Sequence, residues 1–451
     1  MSVLSEALLR HNQNTPRYTS YPTAPHFTDA VDADTYTSWL KGLEAEDATS
    51  LYIHVPYCRS ICWYCGCNTK ATKKYEPVSS FVELLLQEIE LVADRLSQKQ
   101  PVSNIHFGGG SPSMLAPDDF SRIMVHLREQ FDFSANAEIA IEIDPRELTE
   151  AKVAAYALAG VTRVSFGIQD FHEKVQNAIG RRQPFYQVYD AVKLVRSYGI
   201  EQINMDLLYG LPHQTPEMMR ANINFAHALA PTRIALFGYA HVPWMKKHMQ
   251  LIDEASLPGA KARLELFEAA SDQLSQKGFH AIGIDHFVKS DDPMYTAHAE
   301  GKLHRNFQGY TTDEAESLIG LGVSAIGAMP QGYVQNTPDV RSYARAIEAG
   351  ELPIAKGIQT SHDDILRRAA IEQIMCYGKL DVGSFCTAHD LSEDYFDDVL
   401  EALQALAEDE LVLVSGRSLM VPAELPQAYR LVAAAFDAYL MPSTSKHAQV
   451  A

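Results

Sequence analysis

Two periods of apolar residues alternate along most of the chain. From residue 50, short runs rich in β-branched and aromatic residues are followed by longer stretches whose apolar residues recur every three or four positions. In the stretch 81–96, Phe81, Leu85, Ile89 and Val92 lie on one stripe of a predicted helix. The short runs predict six strands, at residues 51–55, 103–107, 138–143, 163–168, 202–207 and 233–239. Strands that alternate with amphipathic helices are typical of a parallel α/β sheet.

Six strand–helix units predict an α/β fold built on an open, partial (β/α)6 barrel. Further strands at 280–285 and 318–323 are expected to extend the sheet or to flank the site. The changes of pattern along the chain set the domain boundaries: residues 1–48 form an N-terminal segment, 49–330 the barrel, 331–360 a linker, 361–440 a mainly helical C-terminal domain and 441–451 a disordered tail.

The C-terminal domain is predicted to resemble a winged helix. Segments 364–376 and 395–407 have helical periodicity, and residues 411–421 predict a hairpin that turns at Ser415 and Gly416. A winged helix suggests DNA binding, but this domain carries fifteen Asp and Glu residues against five Lys and Arg residues. Because such a surface repels phosphate, we expect a lid or substrate-capping module instead.

The charge and the N-terminus of the chain exclude several classes of protein. The 451 residues include 57 acids and 38 bases, and the formal net charge of −19 disfavours nucleic acids and anionic membranes as partners. The first ten residues lack the basic start and the apolar core of a signal peptide, and no apolar run approaches the ~18 residues of a membrane span. The six clustered cysteines fit a reducing compartment. We therefore expect a cytoplasmic, monomeric protein with a small-molecule substrate.

Three cysteines, Cys58, Cys62 and Cys65, form the most informative motif, with the spacing Cx3Cx2C. They follow the first predicted strand, which Pro56 ends. Three thiolates on one loop are able to hold three irons of a 4Fe–4S cluster, which normally has four cysteine ligands, so that one iron stays open for a substrate. This layout resembles the cluster loop of radical S-adenosylmethionine (SAM) enzymes. The resemblance implies that the open iron binds the amino and carboxylate groups of SAM, whose cleavage yields a 5′-deoxyadenosyl radical.

The spacing by itself shows a site for a soft metal, and other uses of these cysteines stay open. Structural zinc is one alternative, but zinc sites usually pair two separated knuckles, and the remaining cysteines, Cys376 and Cys386, lie about three hundred residues further on. A disulfide is a second alternative. Cys67 is either a fourth ligand or a residue near the cluster, and its spacing favours the second role.

Polar residues and glycines follow the predicted strands, where the ligand-binding residues of parallel α/β barrels collect. The second strand ends in the glycine run 108–110, the third contains Glu142, the fourth and fifth end near Gln169 and Asp206, and Arg181 follows a short helix. A structural role is the alternative for each of them. The glycines would form a tight turn, Glu142 would be a salt-bridged acid, Gln169 and Asp206 would be satisfied core polar groups, and Arg181 would be a solvent-exposed cation.

From residue 16 to about residue 440, the chain resembles one family, the oxygen-independent coproporphyrinogen III oxidases, which are the radical SAM enzymes of anaerobic haem synthesis. The most specific segments are 16–23 (Pro-Arg-Tyr-Thr-Ser-Tyr-Pro-Thr), 62–68 (Cys-Trp-Tyr-Cys-Gly-Cys-Asn), 107–112 (Phe-Gly-Gly-Gly-Ser-Pro), 209–212 (Tyr-Gly-Leu-Pro), 239–243 (Tyr-Ala-His-Val-Pro) and 304–312 (His-Arg-Asn-Phe-Gln-Gly-Tyr-Thr-Thr). Two positions depart from the family pattern: Ser111 stands where Thr is frequent, and Tyr64 where Phe is common. Both keep the hydroxyl or the ring.

The resemblance implies that two SAM molecules bind together. Tyr52, Gly109 and Glu142 are expected to contact the first, which binds the cluster. The residues expected to contact the second are Tyr64, Gly110, Ser111, Gln169, Arg181, Asp206, Ala240 and Ile326.

The implied substrate is coproporphyrinogen III, a reduced tetrapyrrole with four propionates. Two of the propionates lose a hydrogen atom, an electron and carbon dioxide and become vinyl groups, which gives protoporphyrinogen IX. A tetracarboxylate needs cationic partners, and Arg17, His304 and Arg305 lie in polar segments that could line a pocket; solvated surface charges are the alternative. The N-terminal segment and the C-terminal domain are natural covers for a radical. We also expect an electron donor such as a flavodoxin-type protein.

Two other functions of related proteins stay open. Haem-binding chaperones keep the barrel and the cluster, but they look shorter, lack the segment 17–23 and do not carry Cys67 and Asn68 after the third ligand. The other alternative is a radical SAM enzyme that opens or methylates haem. Detection of protoporphyrinogen in a turnover assay would separate the three.

Overall fold

A computed structural model describes residues 3–440 of the protein; the predicted disordered tail at 441–451 lies outside the described residues. Its main feature is one sheet of twelve strands. In chain order the strands are β1 (Thr49–Val55), β2 (Pro101–Gly109), β3 (Asp132–Ile143), β4 (Arg163–Gln169), β5 (Gln202–Tyr209), β6 (Arg233–Gly238), β7 (His280–Ile282), β8 (His286–Val288), β9 (Ser317–Gly322), β10 (Ile326–Met329), β11 (Gly332–Asn336) and β12 (Ile354–Gln359). Across the sheet the order is β12-β11-β10-β9-β1-β2-β3-β4-β5-β6-β8-β7.

The six predicted barrel strands and the α/β class are confirmed. Strands β1 to β6 are parallel neighbours in chain order. Strand β5 shows how the sequence pattern produces this arrangement, because Met205 and Leu207 are buried while Asn204 and Asp206 line a cavity in the barrel interior. The two further strands extend the sheet on both sides: β9 is parallel to β1, and β7, which ends at Ile282 instead of residue 285, pairs with β8, an unpredicted strand that is antiparallel to β6. The carboxyl ends of β1 to β6 therefore meet at one end of the sheet.

Helices pack against the sheet and follow most of its parallel strands. The α-helices of the described residues are α1 (Val3–Arg10), α2 (Ala33–Lys41), α3 (Glu76–Ala93), α4 (Pro117–Gln130), α5 (Glu150–Ala159), α6 (Glu173–Ala178), α7 (Phe185–Ser197), α8 (Pro216–Ala228), α9 (Ala260–Gln276), α10 (Pro293–Ala299), α11 (Val340–Glu348), α12 (His362–Tyr377), α13 (Val382–Ala388), α14 (Asp397–Ala402), α15 (Gln404–Glu408) and α16 (Ala428–Ala435). The stripe predicted for α3 is buried in the main apolar core. None of these helices combines the length and the apolar character needed to cross a membrane.

The prediction of a linker at residues 331–360 is wrong. Strands β11 and β12 and helix α11 lie here, and both strands belong to the main sheet. The side chains of Tyr333 and Val334 are buried and hold β11 on the core. Gly332, with φ +152°, lets the backbone of β11 lie directly against that of Ile358 in β12, where a Cβ atom would collide. A glycine that permits close strand contact cannot be told from a loop glycine in the sequence.

The C-terminal region folds around a second apolar core. Helix α12 matches the prediction, and the predicted hairpin turns at Gly416 and pairs Leu413–Ser415 with Ser418–Met420. A third strand, Lys379–Asp381, joins this hairpin. The prediction of one continuous helix at 395–407 is wrong, because this segment forms the two short helices α14 and α15.

The N-terminal segment packs into the same second core. Ala7, Leu8, Tyr18 and Tyr21 are buried there among residues of the C-terminal domain. The guanidinium of Arg430 donates to main-chain carbonyls of this segment. The beginning and the end of the described chain therefore form one packed unit beside the barrel.

A buried carboxylate joins the barrel to its sheet extension. Glu88 of α3 is 1% exposed and accepts hydrogen bonds of 2.6 Å from the Tyr343 hydroxyl, from Asn336 Nδ2 and from the main-chain N–H of Gly322. These donors lie on α11, β11 and β9. Burial raises the pKa of Glu88 to about 7, although the three hydrogen bonds oppose the shift.

Replacement of Glu88 by Ala should lower the free energy of unfolding by about 3 kcal/mol or more, because three buried donors lose their acceptor at roughly 1–3 kcal/mol each. Urea unfolding measures this effect. Glu90→Ala changes an exposed acid of the same helix and should have little effect.

The pH dependence of stability tests the raised pKa of Glu88. A carboxyl whose pKa is higher in the folded state than in the unfolded state costs stability as the pH rises from about 4.5 to about 7. Glu88→Gln has no such titration. The stability difference between the wild type and Glu88→Gln should therefore shrink over this range, and a difference that grows would contradict the assignment.

Candidate functional site

The loop that carries the Cx3Cx2C motif begins at the carboxyl end of β1. Its two ends meet in a short parallel ladder between Tyr57–Cys58 and Lys70–Ala71. The main-chain N–H of Ser111, just beyond β2, donates to the Tyr57 carbonyl at 2.9 Å. Two strand ends therefore fix the loop on the barrel.

Each thiol of the motif has different neighbours. Thr69 Oγ1 donates to Cys58 Sγ at 3.3 Å, and burial raises the pKa of the Cys58 thiol to about 12. Cys62 is buried. A hydrogen bond between Cys65 and the exposed Cys67 lowers the pKa of the Cys65 thiol and raises the pKa of the Cys67 thiol. Cys67 therefore lies beside Cys65, the third cysteine of the motif.

The donor set fits an iron–sulfur cluster. Within residues 3–440, no three His, Cys, Asp or Glu side chains converge as the ligands of one metal ion do. In a 4Fe–4S cluster the cysteine ligands bind different irons, so thiols spread along a loop suit it. All six cysteines are free thiols, so the disulfide alternative is wrong for this structure. Soft thiolates are the ligands that iron–sulfur clusters use.

The backbone of residues 108–110 passes the loop with no room for a side chain. A Cβ atom on Gly109, which has φ +110°, would lie 2.8 Å from the ring of His54. A Cβ atom on Gly110 would lie 2.7 Å from the carbonyl oxygen of Tyr57. These glycines let the end of β2 form a wall of the cavity beside the cysteines.

Two arginines share one partly buried carboxylate, that of Asp144, beside Cys62. Arg181 Nη1 lies 3.2 Å from Asp144 Oδ2 and 3.5 Å from Cys62 Sγ. Arg146 Nη2 lies 2.6 Å from the same carboxylate oxygen and 3.8 Å from the same sulfur. Burial of Asp144 opposes its ionisation, but the charges of Arg181 and Arg146 outweigh burial and hold the pKa of Asp144 at about 2. One positive charge is left uncompensated in this group, which suits an anionic ligand.

The alternative of a solvent-exposed Arg181 is wrong, since this residue is 6% exposed. Its Nη2 also donates to the Gly167 carbonyl at 2.5 Å. The short helix before Arg181 returns the side chain to the cavity, and the sequence could not show that.

Two carboxylates, from β3 and β5, line the same cavity. Glu142 Oε1 lies 3.1 Å from His106 Nε2, so the alternative of a salt-bridged acid stays open for this residue, whose side chain is 42% exposed. Asp206 accepts hydrogen bonds from Ser165 at 3.0 Å and from Asn204 at 2.8 Å. Burial and, to a smaller extent, the charge of Glu142 raise the pKa of Asp206 to about 7. Near neutral pH Asp206 is therefore able both to donate and to accept a hydrogen bond.

Gln169 ends β4 in a left-handed conformation, with φ +70°. Such a conformation is strained for a residue other than glycine. The next residue, Asp170, is fully buried and accepts hydrogen bonds from Asn222 Nδ2 at 2.6 Å and from Gln214 Nε2 at 2.8 Å. This buried network fixes the strand end and so sets the position of Gln169 at the cavity.

One cavity of about 200 Å³ brings most of the predicted site residues together. It is lined by Cys58, Cys62, Tyr64, Cys65, Gly109, Gly110, Ser111, Glu142, Gln169, Arg181 and Asp206. Tyr52 lies behind it, with its hydroxyl 3.1 Å from His54 Nδ1. Ala240 and Ile326 are not among its lining residues, since Ala240 follows β6 and Ile326 begins β10. We refer to this space as the cluster cavity.

The sequence analysis missed seven lining residues of the cluster cavity, namely Ser60, Ile61, Thr69, Ile143, Asp144, Arg146 and Gly167. A signal existed for Asp144 and Arg146, which are charged and directly follow a barrel strand. No signal existed for Thr69, because its contact with Cys58 depends on the return of the loop to its starting point.

Two further cavities neighbour the cluster cavity. An interior cavity of about 170 Å³ lies within the barrel and shares Glu142 and Asp206 with the cluster cavity. An interface cavity of about 500 Å³ lies between the barrel, the N-terminal segment and the C-terminal domain, and it shares Asn306 and Asp313 with the interior cavity. The three spaces therefore follow one another through the molecule.

The three predicted substrate cations lie at or near the interface cavity. His304 and Arg305 line it, whereas Arg17 does not and is paired with Asp285. Arg305 Nη2 donates to the Arg17 carbonyl at 3.0 Å, and Arg305 Nη1 is buried without a hydrogen-bond partner among the described residues. A glutamate, Glu372, lies 3.4 Å from His304 and raises the pKa of this histidine.

Comparisons with known proteins agree with this geometry. Residues 52–226 match the radical SAM superfamily. The chain is 45% identical over 434 residues to oxygen-independent coproporphyrinogen III oxidase of Bradyrhizobium diazoefficiens, with 96% of each chain covered. It is 36% identical to the enzyme of that name from Synechocystis, over 97% of this chain and 95% of that protein. The solved structure of coproporphyrinogen III oxidase from Escherichia coli, described as a radical SAM enzyme, superposes with a TM-score of 0.89 at 36% identity, over 94% of this chain and 97% of that chain.

Gly110→Ala should displace the cysteine loop, because the new methyl group meets the backbone of Tyr57 as well as the hydroxyl of Thr69, and the backbone cannot rotate away as a side chain can. We expect a loss of roughly 1–3 kcal/mol in stability, together with a lower iron content after anaerobic reconstitution with iron and sulfide. Thermal unfolding and iron analysis measure the two effects. Gly259→Ala is the control, since nothing lies within 4 Å of its Cβ position. Wild-type iron content in Gly110→Ala would show that the close approach is dispensable.

Asp206→Asn should give a folded, cluster-bearing protein that binds SAM about tenfold or more weakly, because a buried hydrogen bond involving a charged group contributes roughly 1.5–3 kcal/mol. Equilibrium binding of SAM measures the loss, and Asp190→Asn on the exposed face of α7 serves as the control. An unfolded protein, or unchanged SAM affinity, would mean that Asp206 serves the core and not the ligand.

Proposed function

The chain belongs to the family of oxygen-independent coproporphyrinogen III oxidases, and we propose that it converts two propionates of coproporphyrinogen III to vinyl groups, giving protoporphyrinogen IX. It is a radical SAM oxidoreductase, and its family uses a 4Fe–4S cluster and SAM. The observation that carries the proposal is the cluster cavity, where three thiols from one loop meet polar side chains from the ends of three neighbouring strands.

The proposed cluster ligands are Cys58, Cys62 and Cys65, with Cys67 as a neighbour that does not bind iron. Arg146 and Arg181 lie near the Cys62 sulfur, where their charge would stabilise an anionic thiolate. When bound, the cluster and SAM supply an electron and a 5′-deoxyadenosyl radical that takes a hydrogen atom from a propionate β-carbon.

We propose that two SAM molecules bind along the path from the cluster cavity towards the barrel interior. Glu142 would accept hydrogen bonds from ribose hydroxyls of the first molecule, with Tyr52 and Gly109 as its neighbours. Arg181 would pair with a SAM carboxylate, and Asp206 and Gln169 would bind the second molecule with Tyr64, Gly110 and Ser111. Ala240 and Ile326 lie at two other strand ends and would complete this second site from outside the cluster cavity.

The substrate would occupy the interface cavity and reach the barrel interior with one propionate at a time. Arg305 supports this placement, because its buried Nη1 has a hydrogen to donate and a propionate oxygen would accept it. The pKa of His304 is raised by Glu372, which already pairs with it, so His304 would add a hydrogen-bond donor to the wall of the cavity rather than an unpaired charge. Arg17 is neutralised by Asp285, so it would act by holding the N-terminal cover in place.

Each propionate loses one hydrogen atom, one electron and carbon dioxide and leaves a vinyl group. The residues around the reacting carbon must exclude water, because a radical is otherwise lost to side reactions. The packed N-terminal and C-terminal unit would provide this cover.

We further propose that the protein is a monomer and works in the cytoplasm, where the six free thiols stay reduced. We propose a flavodoxin-type protein as its electron donor.

Anaerobic reconstitution tests the proposed function. The wild-type protein should bind about four irons, cleave SAM when reduced and form protoporphyrinogen IX from coproporphyrinogen III. Cys62→Ser should lose the cluster absorption and all turnover, since a hard hydroxyl does not replace a thiolate on iron. Cys386→Ala, in the second core, should keep the iron content of the wild type.

Two results would count against this function. A Cys62→Ser protein that still binds iron and cleaves SAM would refute the ligand assignment. A reconstituted wild type that binds haem tightly but forms no protoporphyrinogen would favour the chaperone instead.

A further inference from the structure

The chain as a whole is acidic, but the segments around the cysteine loop carry a net positive charge. About one residue in eight is Asp or Glu across the whole chain, but residues 48–75 contain none and carry Arg59, Lys70, Lys73 and Lys74. A second segment without acids, 239–252, carries Lys246 and Lys247. Both segments meet at the cysteine loop in the folded protein. An acidic protein therefore presents a local basic face where its cluster would lie.

One side of the loop opens into a basic cleft. Five cations line this space of about 440 Å³, namely Arg59, Lys73, Lys74, Arg146 and Lys152, against a single carboxylate, Glu147. Arg146 also lines the cluster cavity, so the two spaces share a wall.

Few of the cations that line the cleft are neutralised by a carboxylate of the protein. Lys152 donates to the main-chain carbonyls of Ser113 and Glu147, which carry no charge. Among the described residues, Lys73 and Lys74 make no ion pair with a carboxylate, and both are exposed. Arg59 lies 3.8 Å from Glu147 and is 56% exposed, so this contact is weak. Most of the positive charge therefore faces solvent.

The segment 239–252 covers the other side of the loop. Lys246 Nζ donates to the Cys67 carbonyl at 3.0 Å, and His248 Nε2 lies 2.7 Å from the Cys65 carbonyl. Trp244 and Met245 are 54% and 67% exposed, and Lys247 is exposed beside them. Exposed Trp and Met next to cations are the residue types that protein interfaces favour.

We propose that this basic face, made of Arg59, Lys73, Lys74, Lys246 and Lys247 with Trp244 and Met245, is the docking surface of an acidic one-electron donor protein. The inference rests on the proposed function, since it requires a cluster at the loop. It identifies where the donor binds and which chemistry selects it.

Three observations favour a donor protein over other anionic partners. The face surrounds the loop on both sides, so a partner seated on it lies as close to the cluster as the surface allows. Its exposed apolar residues suit a protein rather than a small anion. Redox partners form small interfaces and depend on charge for their approach, which matches a few lysines around an exposed Trp.

Charge reversal with a matched control tests the docking surface. Lys73→Glu/Lys74→Glu reverses two charges of the basic face. Lys41→Glu/Lys99→Glu makes the same change at two exposed lysines that precede β1 and β2, at the opposite end of the sheet. All three proteins are reconstituted anaerobically, and iron content and thermal unfolding establish that each is intact. Stopped-flow bleaching of the cluster then gives the rate constant for reduction by reduced flavodoxin, used as the acidic probe, at low and high ionic strength.

The expected result is a loss of about tenfold in the second-order rate constant for Lys73→Glu/Lys74→Glu at low ionic strength, and a much smaller loss at high ionic strength. The control pair should change the rate less than about twofold. Reduction by reduced methyl viologen should not slow in either variant, because a reversed face does not repel a small cation.

Three outcomes would overturn the docking surface. The first is an unchanged flavodoxin rate in the double variant, and the second is an equal loss in the control pair. The third is a lower kcat/KM for coproporphyrinogen III with methyl viologen as the donor, which would mean that the face steers the anionic substrate. Failure of the proposed function looks different, since the wild type itself would then hold no cluster or form no product.

Discussion

The course of the backbone through residues 108–110 is the constraint on which the site depends. This segment lies against the ring of His54 and the Glu142 carboxylate on one side and against the cysteine loop on the other. The N–H of Gly110 donates to the carbonyl of Val55 at the end of β1, and the N–H of the next residue, Ser111, donates to the carbonyl of Tyr57 in the loop. A side chain here would push β1 and β2 apart at their carboxyl ends and would move the cysteines with them. Three consecutive glycines are therefore a condition for bringing the thiols to the polar strand ends.

Charge in the cluster cavity is divided between two unequal groups. Near Cys62, Arg146 and Arg181 share one ionised carboxylate, Asp144, which leaves a positive excess. Towards the barrel interior, the carboxyl groups of Glu142 and Asp206 make the cavity wall acidic. The charge of Glu142 adds to burial in raising the pKa of Asp206. A ligand with a carboxylate at one end and hydroxyl groups at the other would match this gradient, and SAM is such a molecule. The gradient would also orient such a ligand, because the reversed pose would place its carboxylate beside Glu142 and Asp206.

The sequence was sufficient for features that are local, and insufficient for contacts between distant segments. The six barrel strands could be predicted, because each is a short apolar run bounded by polar residues. The positions of Glu142, Gln169 and Asp206 then follow from the rule that parallel strands end together. Glu88 could not be singled out, since its three donors lie more than 230 residues further along the chain. The linker prediction failed for a related reason, because the glycines of β11 and β12 permit strand contact that only the partner strand reveals.

Access to the interface cavity depends on how the N-terminal segment is held. Arg17 is paired with the buried Asp285 of the barrel, and Tyr18 donates to Asp437 of the C-terminal domain at 3.0 Å. Removal of one partner from a buried ion pair costs up to about 3–5 kcal/mol, and less here because Arg17 is 33% exposed. The apolar contacts of Ala7, Leu8, Tyr18 and Tyr21 add to this hold. Opening of the segment alone would break all of these contacts, whereas movement together with the C-terminal domain would break the Arg17–Asp285 ion pair but keep the Tyr18–Asp437 hydrogen bond and the apolar contacts of the second core.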